Sequence, residues 1–459
     1  MAFVQVLFYF VVVLGVVIFV HELGHFLVAL WRGVTVRKFS LGIGPEMVGW
    51  TSGGIRYCLS WIPLGGFVQM AGDHLEEDGS LPAGGQEQFL THHWLGRIAI
   101  AVAGPAANLV FAFVVLVGVC IYGITYPDFR TVLGNVAPSS SAYQAGLRTG
   151  DTIVELGGRR VGTWHELEEA ATTGETARPL GIVVMRQGQR VVLQVSSDRV
   201  RAVLGDLAPE SSPPIVGALP TGLPAYQAGI QVGDRIVAVD GKPVKLFEEI
   251  GQSLRGKADQ PVHFTVLRAG RTLDLVVKPI NPLRGRDTSF AYIGVEAPRG
   301  LVWVKRYGPV AAVRAGFREL VGELTFVYTS MWMTISGLFY FHSYVGGPIY
   351  IAQMARDAAQ HGLDELLRFI ARINLAVMAL NLLPIPLFDG GHILLALFEG
   401  LRRRALSARG YINFQKVGLV LVGTLFVLII SQDIVRPLQR MRALDRAPRE
   451  TTTVAPSNR

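Results

Sequence analysis

The stretch FVHELGHFLVAL, from Phe19 to Leu30, places two histidines and a glutamate in an apolar segment that begins at Phe3. A helix needs about 20 mostly apolar residues to cross a bilayer, and ionisable groups inside such a helix are usually functional. His21 and His25 are four residues apart, so on a helix both imidazoles can reach one metal ion. Glu22 then lies beside the metal as a general base. The stretch therefore predicts a membrane-spanning helix with a metal site.

The composition indicates a membrane protein with sizeable polar parts. Of the 459 residues, 50% are hydrophobic and only 17% are charged, against about 25% charged residues in soluble proteins. The formal net charge of +8 comes from basic residues spread along the chain, which argues against nucleic acid as a partner. Two cysteines, Cys58 and Cys120, argue against a disulfide framework and a cysteine-ligated zinc.

Four segments are predicted to cross the membrane, at residues 1–30, 97–123, 366–389 and 416–435. Lysines and arginines favour the cytoplasmic side of a span. They occur in the segments at 31–96 and 390–415, which we therefore interpret as cytoplasmic-side loops. The basic tail at 436–459 argues against this sidedness, because four spans place it outside.

A duplicated pattern occupies the polar segment between the second and third predicted spans. The letters AYQAG at 142–146 recur at 225–229, an offset of 83, and each copy continues with strand-like alternation and a short helix. We predict two β-rich domains, at 126–203 and 212–281. The pattern resembles PDZ domains of bacterial proteases, which can bind an extended peptide at a sheet edge. Whether these copies bind peptide ends or act as a size filter stays open.

A third metal ligand is expected from NLLPIPLFDGGH, from Asn381 to His392. Pro384 and Pro386 break the helix, and non-helical backbone at membrane depth is tolerated only where protein or a water-filled cavity covers it. We therefore predict Asp389 as the ligand, with His392 as the alternative. One span separates the first and third predicted spans, so their C-terminal ends reach the same side of the membrane. A crossing at 326–341 would prevent this, so we interpret that stretch as an interfacial or partly inserted helix in a membrane-associated linker at 298–365.

Together these motifs resemble the site-2 protease family of intramembrane zinc metalloproteases, more narrowly its bacterial regulator-of-sigma-E type with tandem PDZ domains. The resemblance covers nearly the whole chain and rests on four features: HELGH at 21–25, GPAAN at 104–108, the duplicated pattern, and NLLPIPLFDGG at 381–391. It implies zinc as the cofactor, three ligands and a catalytic base. The ligands are His21, His25 and Asp389, and the base is Glu22.

The resemblance also implies residues that bind substrate: Asn108, Asn381, Pro384 and Pro386. An alternative for the two asparagines is that each ties two helices together. The segment at 42–67 resembles the family's membrane-re-entrant β-hairpin, whose edge would hold an extended substrate strand. The implied fold is a polytopic α-helical membrane protein with four transmembrane helices, this hairpin and two PDZ domains.

The implied function is intramembrane endopeptidase activity in the bacterial inner membrane, with periplasmic PDZ domains and an active site toward the cytoplasm. The implied substrates are single-span membrane proteins of the anti-sigma-factor type, already cut once, and remnant signal peptides. Two other classes remain alternatives. One is a membrane-anchored tandem-PDZ scaffold with a vestigial metal site. The other is a transporter, which would have more ionisable residues in the second and fourth spans than this sequence has.

Overall fold

The computed structural model describes residues 2–73, 87–173, 179–210, 212–220, 223–281, 291–298, 300–336, 347–404 and 406–446. The chain divides into two compact units. A mainly helical unit comprises Met1–Ile124 and Arg306–Val435, and a β-rich unit is centred on Thr125–Lys305.

The helical unit begins with α1 (Ala2–Trp31), the 30-residue helix that carries the HELGH motif. A hairpin of two long, irregular strands follows, β1 (Val36–Ser52) and β2 (Ile55–Met70). Residues 46–52 of β1 pair with residues 55–60 of β2, whereas residues 36–41 pair with residues 66–70 and, from residue 38 on, also with residues 56–59. Helix α2 (Trp94–Tyr122) comes next. Large apolar side chains are exposed along the hairpin, among them Val48, Trp50 and Trp61. The segment at 42–67, predicted as a membrane-re-entrant hairpin, lies within these two strands, and its exposed apolar surface is of the kind that contacts lipid or protein.

In chain order the described elements of the β-rich unit are β3 (Ile124–Asp128), α3 (Ser141–Gln144), β4 (Thr152–Leu156), β5 (Arg159–Arg160), α4 (Trp164–Thr173), β6 (Leu180–Arg186), β7 (Gln189–Val195), α5 (Val200–Gly205), α6 (Pro224–Gln227), β8 (Arg235–Val239), β9 (Lys242–Pro243), α7 (Phe247–Leu254), β10 (Val262–Arg268), β11 (Arg271–Val277) and β12 (Leu301–Lys305).

These strands form two four-stranded antiparallel sheets with the same strand order, β5-β4-β6-β7 and β9-β8-β10-β11. A separate pair joins the first and last strands of the unit, β3 and β12.

The two copies also share an ion pair between a buried aspartate and a partly exposed arginine. In the first copy, Arg186 donates through Nε and Nη2 to the two carboxylate oxygens of Asp151, at 2.8 and 2.7 Å. In the second copy, Arg268 makes the same two bonds to Asp234, at 2.7 and 2.6 Å. Each arginine also donates to the carbonyl of the glycine that ends its AYQAG motif. The sequence duplication therefore corresponds to a duplicated fold.

Among the described residues, five further helices follow the β-rich unit: α8 (Pro309–Ser336), α9 (Pro348–His361), α10 (Leu363–Asn381), α11 (Asp389–Arg402) and α12 (Ala408–Arg446), the last of which extends beyond the helical unit. The chain between α10 and α11 is non-helical, as Pro384 and Pro386 predict. Asp389 is the first residue of α11 rather than the last residue of the preceding span. The segment predicted as a loop at 390–415 is thus largely helical, because HILLALF carries apolar residues at helical spacing and buries Leu395 and Ala396.

Three helices in the described part of the chain are long and apolar enough to cross a membrane: Val4–Trp31, Trp94–Tyr122 and Arg409–Ser431. They correspond to the first, second and fourth predicted spans. Helix α10, at the third predicted span, is not among them. It has 19 residues, of which four are charged: Asp364, Glu365, Arg368 and Arg372.

Two of these charges are paired with helix α8. Arg368 donates to Glu319 at 3.1 Å, and Arg372 makes a bidentate pair with Glu323 at 2.7 and 2.8 Å. Helices α2, α8 and α10 also share an apolar cluster around Leu116, Leu320 and Leu375. The stretch predicted as an interfacial helix at 326–341 reaches residue 336 as the end of the 28-residue α8, and its last five residues lie outside the described residues. The basic tail beyond residue 446 lies outside them as well.

Candidate metal centre

His21, His25 and Asp389 converge on one point in the helical unit. The two histidines lie one turn apart on α1, and Asp389 reaches them from the start of α11. Nε2 of His21 is 3.2 Å from Oδ2 of Asp389, and Nε2 of His25 is 3.4 Å from Oδ1. The two Nε2 atoms are 3.2 Å apart. In the described part of the chain these three residues form a group that could hold a metal ion.

The donor set of this cluster fits zinc. Imidazole nitrogen and carboxylate oxygen are both zinc ligands, and three protein ligands leave a position open for water. Oδ2 of Asp389 is buried and makes no regular hydrogen bond among the described residues, although Nε2 of His21 lies 3.2 Å away. A buried carboxylate oxygen in this environment is costly unless a cation compensates it. The residues present therefore suit a divalent cation of this kind.

Helix α2 orients the second histidine. Nδ1 of His25 donates to the main-chain carbonyl of Ile100 at 2.7 Å, which leaves Nε2 of the same ring available for a metal. A Cβ at Gly104 would lie 2.3 Å from Nε2 of His25, and a Cβ at Gly24 would lie 2.3 Å from the carbonyl oxygen of Ala103. Glycine at these two positions lets α1 and α2 approach closely enough to form the cluster.

A cavity of about 520 Å³ opens beside the cluster. Glu22 lines it from α1, and Gly65, Gly66 and Phe67 line it from β2. The hairpin lies close to the glutamate, since a Cβ at Gly66 would be 3.1 Å from Cγ of Glu22. The cavity is therefore bordered by the predicted base, the metal cluster and a strand of the hairpin.

The two asparagines with implied substrate roles both contact His21. Nδ2 of Asn381 lies 3.1 Å from Nε2 of His21, and Asn381 also lines the cavity. Nδ2 of Asn108 lies 3.3 Å from Nδ1 of His21. Asn108 is fully buried and is not among the residues that line the cavity. The structure thus puts the two amides in different environments.

Pro384, Pro386 and His392 lie outside the metal cluster. The prolines belong to the break between α10 and α11 and do not line the described cavity. Pro386 instead packs against α12, where a Cβ at Gly418 would be 2.4 Å from its Cβ. His392 does line the cavity, and its Nδ1 is buried without a hydrogen-bond partner among the described residues. The group that could hold a metal contains Asp389 and not His392.

Sequence reasoning missed two features that support the site. Ile100 acts through its carbonyl oxygen, which no side-chain pattern reveals. Arg97, buried near the start of α2, pairs with Glu399 of α11, and Glu399 also accepts the Leu406 N–H at 2.8 Å. This pair fixes the helix that begins with Asp389. An arginine at the start of an apolar helix was a signal that could have indicated such a partner.

Known proteins are similar to this chain over most of its length. The model of peptidase family M50 matches residues 9–425. A protein of Treponema pallidum (strain Nichols), provisionally named a zinc metalloprotease, is 30% identical over 452 residues, which cover 92% of this chain and 97% of the relative. Protease RseP of Yersinia pestis is 30% identical over 448 residues, which cover 93% of this chain and 98% of the relative. Regulator of sigma-E protease RseP of Escherichia coli (strain K12) is 28% identical over 446 residues, which cover 93% of this chain and 98% of the relative.

Proposed function

We propose that this chain, which belongs to peptidase family M50 and is a zinc metalloprotease of the site-2 type, hydrolyses peptide bonds of membrane proteins within the bilayer. The observation that carries the proposal is the cluster of His21, His25 and Asp389. Its two histidines belong to α1, a helix long and apolar enough to cross a membrane. A soluble metallopeptidase has no need of ligands on such a helix.

In this proposal the three clustered residues hold zinc and Glu22 is the general base. When bound, zinc acts as a Lewis acid and makes water nucleophilic at neutral pH. Glu22 follows His21 on α1 and lines the cavity. Its carboxylate can therefore take a proton from the attacking water and deliver it to the leaving amine.

The substrate segment is proposed to bind in an extended form. A transmembrane helix satisfies its own backbone groups, so its peptide bonds are reached only after local unwinding, which needs replacement hydrogen bonds. A strand edge offers such bonds. The position of Gly65, Gly66 and Phe67 in the cavity wall supports the hairpin as that edge. The amide of Asn381, which lines the same cavity, is proposed to contact substrate backbone, and Pro384 and Pro386 to shape the chain beside it.

The proposed topology keeps four crossings, with α10 as the third. The pairing of its arginines with glutamates of α8 supports this, because paired charges are tolerated in membranes far better than lone ones. The stretch after residue 326 is then a partly inserted helix end. The two β-rich copies are proposed to be periplasmic PDZ domains that bind peptide ends or filter substrates by size.

The apolar helices and the RseP relatives indicate an inner-membrane protein. The name of the Escherichia coli relative refers to regulation of sigma-E. We therefore propose single-span membrane proteins of the anti-sigma-factor type as substrates, cleaved after a first cut on the outer side. Remnant signal peptides are proposed as a further substrate group, since they too are short membrane-embedded helices.

Cleavage of a single-span substrate by the purified chain in detergent tests the proposal. The assay compares the wild type, Glu22→Gln, a chelator-treated sample and the same sample after zinc is restored. Loss of the general base should lower the rate by about 10²–10⁴-fold, and chelation should abolish cleavage until zinc returns. Glu365→Gln, a carboxylate change on α10 in the same unit, should cleave like the wild type. Equal cleavage in all samples would refute the zinc-protease mechanism and favour a scaffold.

A further inference from the structure

One face of α2 carries the groups that contact both histidines. Ile100, Gly104 and Asn108 are spaced four residues apart, so they lie along one stripe of the helix. The carbonyl of Ile100 accepts from His25, and the side chain of Asn108 contacts His21. Gly104, between them, leaves room for both rings. The stripe therefore matches the four-residue spacing of the histidines on α1.

The role of each ring nitrogen follows from its neighbours. A metal-binding imidazole coordinates through one nitrogen, and its other nitrogen carries a hydrogen that needs an acceptor. In His21, Nε2 faces Asp389 and His25, at 3.2 Å from each partner atom, so Nε2 is the nitrogen that would bind the metal. Its Nδ1–H then points toward the carboxamide of Asn108, 3.3 Å away.

The carboxamide of Asn108 can supply the acceptor that this hydrogen needs. Rotation of an amide by 180° exchanges Oδ1 and Nδ2 without moving any other atom of the protein. Oδ1 of Asn108 is buried and has no hydrogen-bond partner among the described residues. After the rotation it accepts the Nδ1–H of His21, just as the carbonyl of Ile100 accepts that of His25.

The two asparagines differ in whether their contact survives metal binding. Asn381 contacts Nε2 of His21, the atom that the metal would occupy, so its amide is released toward the cavity that it lines. Asn108 contacts the opposite nitrogen, is fully buried and does not line the cavity. A substrate in the cavity therefore meets Asn381 and not Asn108.

We propose that Asn108 is a positioning residue that accepts a hydrogen bond from Nδ1 of His21 and so fixes the tautomer and orientation in which Nε2 binds zinc. This inference rests on the proposed zinc site and replaces, for Asn108, the substrate-binding role that family resemblance implies. Partners that orient metal-bound histidines in this way contribute about 10–100-fold to metal affinity.

Zinc affinity of the purified full chain, measured by competition with a chromogenic chelator in detergent, tests the proposal. Asn108→Ala and Asn108→Leu should weaken zinc binding by about 10–100-fold. Asn108→Asp keeps an acceptor oxygen at this position and should bind zinc at least as tightly as the wild type. At saturating zinc, Asn108→Ala should cleave a single-span substrate with an unchanged KM.

Asn374→Ala is the matched control. Asn374 is also fully buried, but it lies on α10 and donates to the carbonyl of Ile370 in its own helix. Its loss should leave zinc affinity unchanged. Thermal unfolding in the presence of chelator should be similar for the alanine variants at 108 and 374, so that altered folding is separated from altered metal binding.

Wild-type zinc affinity in Asn108→Ala together with a raised KM would overturn the positioning role and restore the substrate-binding one. Equal weakening in Asn108→Asp and Asn108→Ala would also overturn it, because the acceptor oxygen would then not matter. A wild-type chain that binds zinc no better than His21→Ala would instead refute the proposed zinc site, and this inference with it.

Discussion

Gly104 on α2 lies directly against His25 on α1: a Cβ at position 104 would be 2.3 Å from Nε2 of His25 and 2.9 Å from Cε1 of His21. Real Cβ atoms do not approach other atoms so closely, so any side chain here must displace an imidazole or separate the helices. The position of the two histidines thus depends on glycine, the residue without a side chain, at position 104 of α2.

Gly104→Ala should therefore weaken zinc binding, because the new methyl group occupies the space of the ligating nitrogen. We expect a loss of zinc affinity of the order of 10–100-fold and a fall in thermal stability from overpacking of about 1–3 kcal/mol. Zinc titration and thermal unfolding in detergent measure these effects. Gly118→Ala, on the same helix but with no atom within 4 Å of its added Cβ, should leave zinc affinity unchanged. Similar zinc affinities in the two variants would contradict the packing argument.

Asp389→Ala and His392→Ala should differ in metal content. Asp389 places carboxylate oxygens 3.2 and 3.4 Å from the two histidine nitrogens, whereas His392 lies outside this group. We expect the aspartate variant to lose zinc on dialysis against a weak chelator and the histidine variant to retain it, as measured by elemental analysis. Zinc retained in Asp389→Ala and lost in His392→Ala would assign the third ligand to the histidine.

Glu22→Gln should retain zinc while losing cleavage. Glu22 borders the cavity but does not belong to the ligand group, and glutamine is nearly isosteric with glutamate. We expect a zinc affinity within a few-fold of the wild type, whereas the cleavage rate should fall by about 10²–10⁴-fold. Parallel zinc titration and single-turnover cleavage separate these effects. A loss of zinc equal to that in His25→Ala would make Glu22 a ligand rather than a base.

Arg268→Ala should open the second β-rich copy selectively. The change leaves the buried carboxylate of Asp234 without its partly exposed arginine partner, and removing a partner from a buried acceptor costs about 1–3 kcal/mol. Limited proteolysis should therefore cut within 212–281 before it cuts within 126–203, where Arg186 and Asp151 remain paired.

The surface variant Arg159→Ala provides the comparison for this prediction. Arg159 pairs with Glu169 on the exposed surface of the first copy, and exposed pairs contribute only about 0–1 kcal/mol. Its proteolysis should match that of the wild type. Equal resistance of Arg268→Ala and the wild type would mean that the Arg268–Asp234 pair contributes little to the stability of the second copy.

The components of the metal cluster could be predicted from sequence because their positions follow from two regularities. Helical spacing puts His21 and His25 on one face, and the number of predicted spans puts Asp389 on the same side of the membrane as these histidines. The structure brings the three together, while their roles as ligands stay predictions. The groups that orient the histidines could not be found in this way. Ile100 acts through its main-chain oxygen, and Gly104 leaves space for the imidazoles because it has no side chain.

At the third predicted span, hydropathy alone was not sufficient to predict the bounds and the charged residues of the helix. An apolar average predicted a crossing at 366–389, but α10 begins earlier, ends at Asn381 and carries four charges. The partners of its two arginines lie 49 residues earlier on α8, a distance that no local window covers. The loop expected after residue 390 is helical for a related reason. Its short apolar run is stabilised by packing of α11 against α2, where Gly400 meets Trp94.

The pairing between α8 and α10 has a consequence for how the chain is made. In the proposed topology, Arg368 and Arg372 enter the bilayer on a helix too polar to be released into lipid by itself. Glu319 and Glu323 precede them in the chain, so during synthesis the carboxylates are available before the arginines leave the ribosome. In that topology the insertion of α10 would depend on the earlier arrival of α8, and the order of translation would become part of the assembly of the active site.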